Sequence, residues 1–164
     1  WDLVAIPQSL PGVHRQCDAE IRICKEPDES RDLIAGSSAV QWFNSAAAFV
    51  RHCHRVLRHD GLLALSTFDP DNFPELMPFL PSTPNYYSVG QWSRLMSEVG
   101  FREVSINAET MTREFDDTAS LLRHLSRTGV NAVSERIPAS VTRSILRSGI
   151  RRLTYRPLIV SGIR

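Results

Sequence analysis

The sequence holds 164 residues, with 19 basic and 18 acidic side chains for a net charge of +1, and 42% hydrophobic against 23% charged residues. That length supports one domain with a real core, and the composition excludes a disordered chain. No apolar run reaches the roughly 20 residues needed to span a bilayer, and Trp1-Asp2-Leu3-Val4 lacks the basic start of a secretory leader. Three cysteines, Cys17, Cys24 and Cys53, are an odd number at no zinc-like spacing, so a reduced, cytoplasmic compartment is expected. The first residue is Trp rather than Met, and the start of the gene product is expected to lie upstream.

In chain order, residues 1–16 read as irregular, broken by Pro7, Pro11 and Gly12. A short strand is expected within His14 to Ile23, ending near Asp18, and a charged surface loop from Lys25 to Arg31 around Pro27. Leu33 to Ala35 reads as a short buried strand that turns at Gly36-Ser37-Ser38. Ser45 to Leu57 is the clearest helix, with Ala46, Phe49, Val50, Cys53, Val56 and Leu57 recurring at three- and four-residue spacing. Gly61 is expected to close that helix as a left-handed cap. Leu62 to Thr67 reads as a strand buried on both faces of a parallel sheet.

Five prolines between Asp69 and Pro84 predict an irregular excursion with one helical turn near Glu75 to Phe79. Ser88 and Gln91 form a capping-box pair for a helix whose stripe is Trp92, Leu95, Met96 and Val99, stopped by Gly100. Phe101 to Thr112 alternates as a strand. Asp116 or Asp117 caps the next helix, with a stripe of Ala119, Leu122 and Leu125, Leu121 alongside, and Gly129 as its end. Pro138 to Gly149 reads as another helix, with Val141, Ile145 and Leu146 apolar. Leu153 to Ile163 is a last strand, expected to pair antiparallel with 101–112 as an edge hairpin, where Pro157 is tolerated. The order of elements is that of a doubly wound α/β nucleotide-type domain. From Arg113 to Arg164 there are ten arginines against Glu114, Asp116, Asp117 and Glu135. Arginine suits carboxylate and phosphate partners through its planar fork, although a solvated helix face explains such a run equally well.

Three groups of residues carry a resemblance: Asp18-Ala19-Glu20; Asp32-Leu33-Ile34 leading into Ser37-Ser38-Ala39-Val40-Gln41-Trp42; and Arg55-Val56-Leu57-Arg58-His59-Asp60-Gly61 followed by Leu62 to Thr67. With Phe73-Pro74-Glu75-Leu76, the segment from Phe115 through Leu121-Leu122-Arg123-His124-Leu125 to Ala132, and Leu153 to Val160, the chain resembles class I S-adenosylmethionine-dependent methyltransferases. Among these it is most similar to the malonyl-[acyl-carrier-protein] O-methyltransferase family of biotin synthesis. The resemblance covers residues 14–164 and implies a Rossmann-like, three-layer α/β fold, with a mostly parallel sheet and an antiparallel edge hairpin, N-terminally incomplete. One domain over 1–164 is expected, a sheet portion over 1–112 and a basic helical segment with the final strand over 113–164.

Carried over residue by residue, the resemblance places Asp18 and Ala19 at the adenine ring, Ser37 at the cofactor end of its strand, and Gln41 and Trp42 beside the methyl acceptor. Asp2 matches, over a shorter segment, the acidic residue that holds the ribose hydroxyls. No catalytic side chain and no metal is expected. A carboxylate acceptor is already a nucleophile, so alignment and exclusion of water suffice. One arginine from Arg123 onward is a candidate for meeting the acceptor's carboxylate. An acidic acyl carrier protein as partner gives the basic C-terminal third a docking role; nucleic acid and membrane are not expected partners.

The family's Gly-x-Gly-x-Gly-like turn is not in this sequence. Its eight glycines (12, 36, 61, 90, 100, 129, 149 and 162) include no two within three positions of each other. The 164 residues alone are therefore expected to bind S-adenosylmethionine weakly. The alternatives are a non-catalytic remnant or interaction protein, and a methyltransferase for another small carboxylate or metabolite. Beside these readings, His52 and His54 are surface helix histidines, His124 serves helix packing or the surface, and Trp92 is core. Trp42 fits an acceptor wall and a core position alike.

Overall fold

The computed structural model describes residues 3–6, 18–80, 86–128 and 138–164. A five-stranded sheet is the frame. Its strands are β1 (Leu3–Ile6), β2 (Arg31–Ser37), β3 (Leu57–Phe68), β4 (Arg102–Ala108) and β7 (Pro157–Ile163), in spatial order β1-β2-β3-β7-β4. β1, β2 and β3 run parallel, and β7 is antiparallel to both β3 and β4. A two-stranded antiparallel ribbon, β5 (Met111–Glu114) with β6 (Arg152–Tyr155), continues past the sheet. The helices are α1 (Asp18–Lys25), α2 (Ala46–Val56), α3 (Val89–Val99), α4 (Thr118–Thr128) and α5 (Ala139–Ser148).

The main core lies on one face of the sheet. Ile34, Leu63, Leu65, Leu158 and Val160 point into it and meet Ile23 of α1, Phe49, Val50, Cys53 and Val56 of α2, and Trp92, Leu95 and Met96 of α3. The helix stripes at three- and four-residue spacing generate this packing directly. Ser45 caps α2 by accepting from Ala48 N–H at 3.1 Å, and Ser88 with Gln91 forms the reciprocal box that starts α3. Gly100, at φ 105°, ends α3 in the left-handed region. A second cluster joins Phe73 and Leu76 to Leu121, Leu125, Ile145 and Leu153 beyond the carboxyl ends of the parallel strands.

The structure corrects several sequence expectations. Leu3–Ile6, in the stretch read as irregular, is a strand, because β2 offers it a free edge at Leu33–Gly36. From Asp18 the chain is helical, so residues 18–23 of the window read as holding a short strand belong to α1; residues 14–17, where that strand is expected, lie outside the described residues. Gly61 does not cap α2. The helix ends at Leu57, which is already extended, and the left-handed residue is Asp60 at φ 62°.

β3 is not buried on both faces. Its side chains alternate, with Leu63 and Leu65 inside and Leu62 39% exposed. On the same face Ile159 is 49% exposed, and among the described residues no helix packs there. The stretch 101–112 breaks into β4 and β5, and Leu153 to Ile163 breaks at Arg156 into β6 and β7. β7 lies inside the sheet, leaving β4 at the edge; Pro157 is accommodated as the first residue of its strand. The buried apolar residues of α4 are Leu121 and Leu125, with Leu122 only partly covered. In α5 Ile145 is buried and Leu146 is 44% exposed. Gly129 lies outside the described residues.

Candidate cofactor and acceptor site

In an open α/β sheet, ligands gather at the carboxyl ends of the parallel strands. Here those ends are Ile6, Ser37 and Phe68. Ser37 and Ser66 are register partners across β2 and β3. Ser66 donates its hydroxyl to Ser37 Oγ at 3.1 Å. Ser38 N–H reaches both Ser66 O at 2.9 Å and Ser66 Oγ at 3.2 Å. Ser38 itself sits at φ 49°, which turns the chain sharply off β2. The following 3-10 turn, Val40–Trp42, buries Val40 and Gln41 and leaves Trp42 half-buried.

Gln41 is engaged at both ends of its amide. Nε2 donates to Ser38 O at 2.8 Å, and Oε1 accepts from Thr67 Oγ1 at 3.3 Å. Asp18 and Ala19 form the first residues of α1, while Asp2 lies outside the described residues. Glu20, two residues on, accepts from Asn44 N–H at 3.1 Å and Ser45 N–H at 3.2 Å. It thereby ties α1 to the start of α2, where a carboxylate suits the unpaired N–H groups of a helix start. Sequence reasoning missed Glu20, Ser66 and Thr67. Their signal is a contact across 24 to 29 residues, which no local pattern contains.

Past Phe68, residues 69–80 are tied to the β6–β7 junction by Asp69 N–H to Arg156 O at 2.9 Å and Phe73 N–H to Thr154 O at 2.9 Å. Asn72 is 3% exposed and accepts from Arg156 N–H at 2.9 Å. Tyr86 meets Phe68 edge-on, with ring centroids 6.1 Å apart. Burial pushes the pKa of the Tyr86 hydroxyl up to about 12. Glu75 accepts from Thr154 Oγ1–H at 2.6 Å and from Thr154 N–H at 3.1 Å. Burial works to raise its carboxyl, but those two bonds and Arg152 outweigh it and hold it below the ordinary range. Farther out, His124 and the Tyr155 hydroxyl lie 2.7 Å apart, and Phe73 stacks edge-on to Tyr155 at 4.7 Å.

His54, His59 and His124 each have a partner other than a metal. His54 packs edge-on against Phe101 at 5.0 Å, and burial, with Arg164 adding to it, lowers its pKa. Among the described residues, no group of three or more His, Cys, Asp or Glu is placed to hold a metal ion. The Cys53 thiol is buried in the core and pushed up by burial, which makes it inert as a nucleophile. Trp92, 1% exposed, is core. No helix among the described residues is long and apolar enough to cross a membrane. Arg113, Arg123, Arg127, Arg143, Arg147, Arg151 and Arg152 are all exposed on the β5–β6 ribbon, α4, α5 and their connections.

This geometry has close parallels. Residues 6–65 match the model of a methyltransferase domain. YcgJ of Bacillus subtilis superposes with a TM-score of 0.61 at 19% identity, covering 84% of this chain and 65% of that one. A putative methyltransferase from Bacillus halodurans superposes at 0.57 with 16% identity, again over 84% and 65%. The fold is that of the class I, S-adenosylmethionine-dependent methyltransferases, and the chain resembles that family over residues 6–65.

Within it, the sequence is 34% identical over 137 residues to the malonyl-[acyl-carrier protein] O-methyltransferase of Haemophilus influenzae, covering 77% of this chain and 52% of the relative. It is 33% identical over 114 residues to the protein of that name from Acinetobacter baylyi, over 70% and 44%. The chain thus spans about half the length of the curated relatives it matches.

S-adenosylmethionine is the cofactor of this family, and the residues present suit one side of it. Gly36, Ser37 and Ser38 put only small side chains at the end of β2, and Ser37 is exposed. Hydroxyl oxygens and bare backbone at one rim match the polar edge of an adenosine.

Proposed function

We propose that this chain forms the adenosine-side and acceptor-side part of a methyltransferase that esterifies the free carboxylate of malonyl-[acyl-carrier protein]. The observation that carries the reading is the rim itself. The Ser37–Ser66 hydroxyl pair closes the end of two parallel strands, and the Gln41–Trp42 turn stands directly beside it. The names of the relatives supply the acceptor class.

S-adenosylmethionine, when bound, supplies an electrophilic methyl group. The chain's own residues have modest tasks. Asp18 and the Ala19 backbone recognise the adenine edge, Ser37 lines the adenosine, Asp2 meets the ribose, and Trp42 walls the acceptor. A malonyl carboxylate is ionised at neutral pH and needs no general base, so orientation and exclusion of water carry the rate. The exposed arginines among the described residues of the 113–152 region attract an acidic carrier protein and steer its approach. The pathway served is biotin synthesis, in the cytoplasm.

The test is a titration of the 15N-labelled chain with S-adenosylhomocysteine, followed by amide shifts. Saturable shifts at Asp18, Ala19, Ser37 and Ser38, with affinity weaker than micromolar, are expected. No shift at these amides at millimolar ligand overturns the cofactor assignment. Transfer of labelled methyl to malonyl-carrier protein, against other acyl acids, by the full-length gene product tests the acceptor.

A further inference from the structure

The acceptor-side turn is held by a residue outside it. Ser38 O is a carbonyl and can only accept, so the Gln41 amide must turn its NH2 toward Ser38. That leaves Oε1 facing Thr67, whose hydroxyl must donate. Both side chains are buried, Gln41 at 8% and Thr67 at 2% exposed, so water cannot readily replace either bond. A buried acceptor left without its donor is costly.

Thr67 stands near the carboxyl end of β3, a rigid strand paired on both sides. The chain it restrains is not rigid by itself. Ser38 has a positive φ of 49° without being glycine, and the 3-10 turn after it rests on two backbone bonds, Trp42 N–H to Ala39 O at 3.0 Å and Phe43 N–H to Val40 O at 3.2 Å. The turn therefore needs an external tie to keep Trp42 in one place.

We infer that Thr67 and Gln41 are positioning residues: the Thr67 hydroxyl locks the Gln41 amide, which locks the left-handed Ser38 and fixes Trp42 at the acceptor side of the site. This changes the part assigned to Gln41. With both ends of its amide used internally, it acts on the acceptor through Trp42 and not by direct contact. The inference rests on the proposed acceptor role of the turn.

Two readouts keep the inference and that role apart. Thr67→Val preserves shape and removes the donor; Thr67→Ser preserves the donor. In hydrogen exchange, Thr67→Val is expected to lower the protection of the Trp42 and Phe43 amides at least tenfold, with Leu63 and Leu65 of β3 unchanged and Thr67→Ser close to wild type. Equal protection at Trp42 in wild type and Thr67→Val overturns the lock. Should Thr67→Val fail to fold, Gln41→Met gives the same readout from the other partner. The indole N–H signal of Trp42, assigned by its loss in Trp42→Phe, is then followed with S-adenosylhomocysteine and a malonyl thioester present. It is expected to shift in wild type and Thr67→Ser and to lose that response in Thr67→Val. A Trp42 signal indifferent to both ligands in wild type overturns the acceptor role, whatever the exchange data show.

Discussion

Gly61 is where a close backbone approach, and not a left-handed turn, demands glycine. A Cβ at this position would lie 2.8 Å from Arg58 O and 3.1 and 3.2 Å from the Leu57 side chain. The first neighbour is a backbone carbonyl in the bulge that shifts the register between Arg31↔Leu57 and Leu33↔Leu62. It cannot move aside without disturbing Gly61 O, which accepts from Arg164 N–H at 3.0 Å. Forcing a methyl into such a contact costs about 1–3 kcal/mol, or roughly 2–12 °C in Tm for a domain of this size.

Gly61→Ala is therefore expected to lower the urea midpoint by that amount without changing the slope. Gly61→Asn separates the two explanations. A left-handed cap tolerates Asn, whereas a steric contact makes Asn at least as damaging as Ala. Asp60 carries the left-handed φ, so Asp60→Gly is expected to keep the fold. The reasoning is refuted if Gly61→Asn is neutral, or if Gly61→Ala leaves the midpoint unchanged.

Three further outcomes are expected. Glu20→Gln weakens the two bonds to the start of α2 and should cost about 1–2 kcal/mol, read as a lower urea midpoint and faster exchange at Asn44 and Ser45. The Glu75 carboxyl is held below its ordinary value in the folded state, so the stability it contributes is full above about pH 4.3 and is lost as pH falls through the folded value. Urea midpoints measured from pH 6 to pH 3 should fall less steeply in Glu75→Gln than in wild type. Reversal of Arg147, Arg151 and Arg152 to Glu should slow reaction with malonyl-carrier protein more than with a small malonyl thioester, and more so at low salt. Equal slowing with both acceptors removes the docking role.

Much of the architecture is written in short-range pattern. The stripes of α2 and α3, the Ser45 and Ser88 caps, and the Gly100 stop each rest on residues three or four apart in the chain, and one helix turn is enough to express them. The motif order from Asp18 to Thr67 carries the family. Four-residue strands such as Leu3–Ile6 carry no such internal signal, because an extended segment has no hydrogen bonds of its own until a neighbour supplies them. Likewise, nothing between 101 and 163 says that β7 enters the sheet between β3 and β4, since that placement is decided by pairing over some ninety residues.

At the candidate site the division is the same. Sequence by itself placed Ser37, Gln41 and Trp42 in one loop after a strand, and Asp18 with Ala19 at the end of another. Only the folded chain brought Ser66 to Ser37, Thr67 to Gln41 and Glu20 to Asn44, across 24 to 29 residues. Local conformation is chosen by neighbours along the chain. Hydrogen bonds between strands and between helices are chosen by the packing of the whole sheet, and they decide which polar side chains remain available to a ligand.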